Sequence, residues 1–185
     1  MTQPQEPPVD AKDWTWVVGR ACPECGFDPA GVDVRQLPAI MDDLGARWVP
    51  VLAEPSAGRR PAPQVWSPLE YGAHVRDVFD LFAARARLIR EQDEPRFANW
   101  DQDVTARESR YWEADPAQVS AQLVVAAGVA ATAFDAVADA EWDRKGFRSN
   151  GSEFTLRTLG LYFAHDVVHH LHDVGAPVRA GGLGS

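Results

Sequence analysis

The chain has 185 residues, which is enough for one domain whose core needs neither disulfides nor a metal to form. Acidic residues (27) outnumber basic residues (18) and the formal net charge is −9, so a nucleic acid is not an expected partner. The two cysteines are too few and too close together for the disulfide framework of a small secreted domain.

The first predicted helix follows a polar, proline-containing N-terminus. Residues 1–13 have little apolar content and are expected to be disordered, and residues 14–32 form an extension that packs on the main domain. From Asp33 to about Ala53, apolar residues recur every three or four positions, as in a helix with one buried face. Gly45 and Pro50 weaken the second half of this helix.

The second and third predicted helices begin with clear capping signals. Ser67-Pro68-Leu69-Glu70 combines an N-cap serine, a proline at the first helical position and a capping-box glutamate, and the helix should run to about residue 91. A long connection follows, with a short helix expected around residues 103–110. Asp115-Pro116 opens the third long helix, which runs to about residue 138 and is rich in alanine.

The last predicted helix starts after a turn over residues 143–151, with Ser152 or Thr155 as its cap, and ends before Gly175. Residues 176–185 are expected to form a loose tail. The sequence shows no alternation long enough to predict a sheet. The predicted fold is therefore all-α, a four-helix bundle over residues 33–175 with a short N-terminal Cys-x-x-Cys extension.

The start of the chain and its most apolar stretch indicate the expected location. Residues 1–4 lack the basic and apolar pattern of a signal peptide, and the stretch over residues 123–138 is shorter than a bilayer span and contains Asp135. We therefore expect a cytoplasmic protein that does not bind membranes.

Four of the five histidines lie close together on the last predicted helix. His165 and His169 are one turn apart and differ by about 40° around the helix, so both rings can reach one ion. His172 lies near the same stripe, whereas His170 points well away from it and is expected at the surface or between helices. On the second helix, His74 shares the inward face of the apolar residues and is expected to point toward a facing helix.

Helical bundles build metal sites from such residues on facing helices, so we predict one divalent metal held by His74, His165 and His169. For His74 alone, a buried ring with a hydrogen-bond partner is the simpler interpretation. Imidazole ligands suit zinc, with nickel or iron as alternatives, and three protein ligands leave an open position for a substrate.

Three further residues are candidates to orient these ligands or to add a fourth. They are Glu70, Asp166 and His172. A helix cap is the simpler role for Glu70, and a solvated helix face is the simpler place for Asp166.

The extension carries Cys22-Pro23-Glu24-Cys25, which the bundle itself does not need. A single Cys-x-x-Cys has three interpretations: a redox pair, half of a zinc site completed by another chain, or a tight turn with inert thiols. The sequence leaves all three open.

The segment from Trp66 to His74, followed much later by His165-Asp166-x-x-His169-His170, resembles the DinB-like superfamily. The resemblance covers residues 33–174. It implies a four-helix bundle in which His74, His165 and His169 bind a divalent metal. It also implies an activity among the thiol S-transferases that use mycothiol or bacillithiol, the mycothiol-dependent maleylpyruvate isomerases and the sulfoxide synthases.

From this resemblance we expect a metal-dependent S-transferase or isomerase whose partners are a low-molecular-weight thiol, with mycothiol favoured, and an electrophilic small molecule. Arg144 and Arg148, in a segment similar to the family's turn before the last helix, are candidates to bind a substrate carboxylate, with plain exposure as the alternative.

Two other functions stay open. One is a hydrolase that uses metal-activated water with Glu70 as base; the other is a non-enzymatic, metal-binding stress-response bundle that acts through a partner. A homodimer is expected.

Overall fold

A computed structural model describes residues 4–5, 7–8 and 12–178, so the expected disorder of residues 1–13 and the tail at 176–185 fall largely outside the described residues. Within these residues the chain is mostly helical, with one small sheet. The α-helices are α1 (Leu37–Ala53), α2 (Pro68–Glu91), α3 (Gln102–Glu108), α4 (Pro116–Asp135) and α5 (Leu156–Asp173), and the strands are β1 (Arg96–Phe97), β2 (Lys145–Arg148) and β3 (Glu153–Thr155).

The predicted starts of α2, α4 and α5 are confirmed by their caps, whereas α1 begins at Leu37, after a 3-10 turn over Val34–Gln36, and not at Asp33. The Glu70 backbone N–H donates to Ser67 Oγ (3.3 Å), and the Ser67 backbone N–H donates to Glu70 Oε2 (2.9 Å), which is the predicted capping box of α2. Of the two residues predicted to cap the last helix, Thr155 is the one used, and its Oγ1 accepts from the Thr158 backbone N–H (3.1 Å).

The long helices form a four-helix bundle in which α4 and α5 each contact both α1 and α2. Alanine and glycine allow the helices to approach closely. A Cβ added at Gly45 of α1 would lie 2.4 Å from Ala127 Cβ of α4. Gly45, which lowers helix propensity locally, is therefore needed for close packing between these two helices.

The three short strands correct the expectation that the chain has no sheet. They lie in the order β1-β2-β3, with β2 parallel to β1 and antiparallel to β3. The strands have only two to four residues, too few for an alternating pattern to show in the sequence. Arg144, just before β2, donates from Nε to the carbonyl of Ile89 at the end of α2 (2.9 Å) and so ties the sheet to the bundle.

The N-terminal extension crosses the bundle beside α5, which its 3-10 helix Thr15–Val18 contacts. The two cysteines lie in a tight turn closed by two backbone hydrogen bonds. The Gly26 N–H donates to the Cys22 carbonyl (2.9 Å), and the Cys22 N–H donates to the Phe27 carbonyl (2.8 Å). Gly26 has φ +76°, a conformation that glycine adopts without steric cost.

Among the described helices, α4 is long and apolar enough to cross a bilayer by length and composition alone. Its buried residues pack against α1 and α2 in the core. Core helices of soluble proteins meet the same two criteria, so this feature is weak evidence for a membrane span.

Candidate metal centre

Helix α5 carries two pairs of metal-binding side chains, each with i,i+4 spacing. One pair is His165 with His169, and the other is Asp166 with His170. Because neighbouring residues differ by about 100° around a helix, the two pairs face different sides. His165 and His169 face the N-terminal extension, whereas Asp166 and His170 face His74 on α2.

The first cluster consists of His74, Asp166 and His170, whose ligand atoms all lie within 4.8 Å of one another. Asp166 Oδ1 is 3.7 Å from His74 Nε2 and 3.4 Å from His170 Nε2. Neighbouring ligand atoms around a tetrahedral ion with bonds near 2.1 Å lie about 3.4 Å apart. The cluster therefore fits one divalent cation with little movement of the side chains.

Buried polar atoms without partners also indicate a cation here. His74 is 1% exposed and packs between the rings of Trp66 and Trp100. Both of its ring nitrogens, and Oδ1 of Asp166, are buried without a hydrogen-bond partner. Each such atom costs about 1–3 kcal/mol when left unsatisfied, and one cation would provide a partner for Nε2 of His74 and for Oδ1 of Asp166.

The protonation states match those of metal ligands. Burial lowers the pKa of His74, which keeps the ring neutral at pH 7. Burial alone would raise the pKa of Asp166, but the neighbouring His74 and His170 outweigh it, so that the pKa of Asp166 lies below its ordinary value. A neutral imidazole and an ionised carboxylate are the forms that bind metals.

Asp173 orients the ring of His170. Its Oδ2 lies 2.9 Å from Nδ1 of His170, so this nitrogen donates a proton and Nε2 is left to face Asp166. A carboxylate behind a ligating histidine is the usual arrangement in protein metal sites.

The first cluster opens on one side into a cavity of about 460 Å³, a size that suits a small organic ligand. Asp166 and His170 form part of its wall. Four large aromatic side chains also line it, namely Trp14, Trp66, Tyr71 and Tyr162. The remaining wall is mostly polar and includes His165, His169 and the carboxylates of Asp103 and Asp173.

The second cluster joins the extension to α5 and consists of Cys22, Cys25, His165 and His169. Its ligand atoms also lie within 4.8 Å of one another, and Cys22 Sγ is 3.8 Å from His169 Nδ1. All four residues are at most 9% exposed. Burial lowers the pKa of His165 to about 4 and raises that of Cys25 to about 12.

Among the described residues, His74 does not share a cluster with His165 and His169. A single ion bound by His74, His165 and His169 therefore stays a prediction. The structure instead groups His74 with Asp166 and His170 of α5. His170, expected at the surface or between helices, lies between α5 and α2 with its ring 4.7 Å from that of His74. The spacing Asp166-x-x-x-His170 was the signal for this site, and periodicity alone could not show which pair faces α2.

The remaining candidate residues have different surroundings. Glu70 is buried and accepts hydrogen bonds from Ser67 and from Arg60 (Nε to Oε2, 2.8 Å). These contacts fit its predicted role as helix cap. They give no support to a role as an extra metal ligand or as a general base. His172 is exposed, with its ring 6.3 Å from that of His169.

The two arginines predicted for substrate binding also differ. Arg144 donates to the carbonyls of Ile89 and Gln92, which is a structural role. Arg148 donates to Ser152 Oγ (3.0 Å) and lines a second cavity of about 650 Å³. Trp14 and Tyr162 line both cavities, so the two cavities are adjacent. Arg148 therefore lies in the cavity next to the one that adjoins the first cluster.

Comparisons with known proteins agree with this architecture. Residues 36–174 match the DinB superfamily. YfiT from Bacillus subtilis, described as a probable metal-dependent hydrolase with an unusual four-helix bundle topology, superposes with a TM-score of 0.69 at 18% identity, over 86% of this chain and 93% of that one. At this identity the likeness shows a shared fold. No curated protein matches the chain significantly.

Proposed function

This chain belongs to the DinB superfamily, and from that premise we propose that it is a metal-dependent enzyme whose divalent cation is held by His74, Asp166 and His170. The observation that carries the proposal is the convergence of these three ligand atoms beside a cavity whose wall includes Asp166 and His170. A structural site would have four protein ligands and no open coordination position.

The ligand set suits zinc, and nickel or iron are alternatives. When bound, the cation would supply Lewis-acid activation, lowering the pKa of a thiol or a water molecule in its open position. Asp166 would contribute negative charge, and Asp173, through its contact with Nδ1, would keep Nε2 of His170 turned toward the cation. The aromatic part of the wall would offer an apolar surface to the substrates.

The reaction we favour is the transfer of a low-molecular-weight thiol, with mycothiol as the leading candidate, to an electrophilic carbon. In an addition, the sulfur–carbon bond forms as a π bond of the electrophile breaks, and the proton lost by the thiol is returned to the product, directly or through solvent. Arg148 lines the adjoining cavity, and in this proposal it binds a substrate carboxylate. Thiol transfer needs little help from a base, because a free thiol already has a pKa of about 8.5.

Hydrolysis is the second candidate, since the structural relative YfiT is described as a probable metal-dependent hydrolase. Water loses a proton less readily than a thiol, and a hydrolase gains from a nearby general base. Glu70 was the residue available for that role, and its carboxylate is engaged by Arg60 and the capping box. A hydrolase would therefore need another carboxylate of the cavity wall, Asp103 or Asp173, and for this reason we favour thiol transfer.

The test is elemental analysis of the purified chain beside His74→Ala and His170→Ala, with His172→Ala as the matched control from the same helix. Each cluster variant should lose about one equivalent of metal, and the control should lose none. Mycothiol added to the cobalt-loaded chain should then change the visible spectrum of the cobalt at this site. Unchanged metal content in both cluster variants would refute the site.

The same experiment separates the candidate functions. A chain that binds metal at the cluster but shows no spectral change with thiol, and that hydrolyses test esters or amides, is a hydrolase. A chain that binds metal and does neither fits the non-enzymatic, partner-binding function. The cytoplasmic location and the homodimer stay predictions.

A further inference from the structure

We propose that Cys22, Cys25, His165 and His169 bind a second divalent cation, a structural zinc, which fastens the N-terminal extension to helix α5. This inference goes beyond the proposed enzyme function and does not depend on it. The site uses none of the three side chains assigned above to the cation beside the cavity.

The turn in the extension brings the thiols of Cys22 and Cys25 together. The backbone hydrogen bonds across Cys22 to Phe27, with Gly26 in a left-handed conformation, fold the chain so that both thiols point to the same buried space. The sequence spacing Cys-x-x-Cys is the spacing with which structural zinc sites supply a pair of sulfur ligands.

Helix α5 supplies the other two ligands. His165 and His169 are one turn apart, and Cys22 Sγ lies 3.8 Å from Nδ1 of His169. In a tetrahedral zinc site, with bonds of about 2.3 Å to sulfur and 2.0 Å to nitrogen, neighbouring ligand atoms lie about 3.4–3.8 Å apart. Nε2 of His165 is buried without a hydrogen-bond partner, an unsatisfied group that ligation within this cluster could relieve.

The surroundings complete the site. With Nδ1 of His169 turned toward Cys22, its Nε2 faces Glu24 Oε2 (3.6 Å) and Asp173 Oδ1 (3.8 Å). Lys12 holds Glu24 in place through an ion pair of 2.8 Å. Two thiolates and two neutral imidazoles would balance the charge of a zinc ion, and the rings of Trp14 and Phe27 lie against the histidines.

Four protein ligands leave no open coordination position, so this site is structural and not catalytic, although His165 and His169 also line the cavity. Its effect is on the neighbouring cavity. Trp14 stands 4.8 Å from the ring of His169 and also forms part of the cavity wall. A zinc ion here would fix the extension and thereby hold Trp14 in the wall.

The three sequence interpretations of the cysteines make different predictions. A redox pair needs a thiol that ionises and can be reached, and both thiols are buried. A zinc site completed by a second chain would need ligands from that chain, whereas His165 and His169 already stand beside the thiols in this one. A tight turn with inert thiols would leave four metal-binding side chains together without a ligand.

The test is cobalt titration of the full-length chain under reducing conditions. The sequence contains only two cysteines, so any thiolate-to-cobalt charge-transfer band must come from Cys22 and Cys25. We expect that band together with intense tetrahedral visible bands, at about one equivalent per chain, from a total uptake of about two. Zinc should displace the cobalt and abolish the band.

Variants assign the signal. Cys22→Ser/Cys25→Ser and His165→Ala should each remove or strongly weaken the charge-transfer band, while His74→Ala keeps it and loses the other equivalent. Failure at this site is therefore distinct from failure at the cavity site. The proposal is overturned if the wild-type chain takes up cobalt without a thiolate band, if its thiols are found as a disulfide, or if the band saturates at half an equivalent with dimer formation.

Discussion

Asp173 is the residue that touches both clusters. Its Oδ2 lies 2.9 Å from Nδ1 of His170, and its Oδ1 lies 3.8 Å from Nε2 of His169. Burial alone would raise the pKa of Asp173, but the neighbouring histidines, His170 first among them, lower it below the ordinary value. An ionised carboxylate therefore stands behind one ligand of each cluster, and replacing it should weaken metal binding without removing a ligand.

We expect Asp173→Asn to lower the metal affinity of the His74 cluster by about 10–100-fold, the usual loss when the partner of a ligating histidine is removed. The metal affinity is measured by competition with a chelator. The measurement is made in the Cys22→Ser/Cys25→Ser variant, so that only the His74 cluster contributes to the signal. Asp143→Asn is the control, because Asp143 is 88% exposed and lies 3.8 Å from Arg157. An affinity equal to that of the control would show that Asp173 does not orient His170.

The buried histidines make the stability of the metal-free chain depend on pH. Burial lowers the pKa of His165 from 6.5 to about 4, so the unfolded chain takes up a proton at a higher pH than the folded chain does. The stability that the neutral ring contributes is complete above pH 6.5 and is lost as the pH falls toward 4. At about 1.4 kcal/mol for each pKa unit, the loss is about 3 kcal/mol.

Urea unfolding of the chelator-treated chain between pH 7.5 and pH 4.5 measures this effect. His165→Gln, which cannot titrate, should show a shallower fall in the free energy of unfolding over the same range. Equal slopes for the two chains would mean that His165 is not held neutral by burial.

At the scale of elements, the contact between α1 and α4 sets how closely the bundle packs. An added Cβ at Gly45 would meet Ala127 Cβ at 2.4 Å, although alanine is the better helix former by about 1 kcal/mol. We expect Gly45→Ala to destabilise the chain by about 1–3 kcal/mol, because overpacking outweighs helix propensity. Thermal or urea unfolding measures the change.

Gly128 of α4 is the matched control. A Cβ there would meet nothing within 4 Å, so Gly128→Ala should stabilise the chain by about 0.5–1 kcal/mol. If both substitutions change stability in the same direction, the close approach of α1 and α4 is not what requires Gly45.

At the scale of the whole molecule, the core does not depend on either cluster. Large apolar side chains from all four long helices are buried, among them Trp48, Phe79, Phe134 and Phe163. A domain of this size can bury enough apolar surface to fold without metal. Metal should therefore add stability to a fold that already exists.

Removal of metal with a chelator should leave the far-ultraviolet circular dichroism spectrum nearly unchanged and lower the melting temperature. Limited proteolysis should then cut the extension near residues 19–28 before it cuts the bundle, because the extension loses its attachment to α5. If the chelator-treated chain lost its helical circular dichroism signal, this prediction would be wrong, and the chain would need metal to fold.

The sequence by itself determined the helices, their caps and the bundle, because apolar periodicity and capping are local signals that the chain carries within a few residues. It also singled out most side chains of the two clusters: His74, the histidines of α5 and the cysteine pair. Only the tertiary structure decided how they combine. A rotation of about 100° separates Asp166 and His170 from His165 and His169, and periodicity does not say which face meets α2 and which meets the extension. That choice depends on long-range packing, which brings Cys22 to a residue 147 positions away in the sequence.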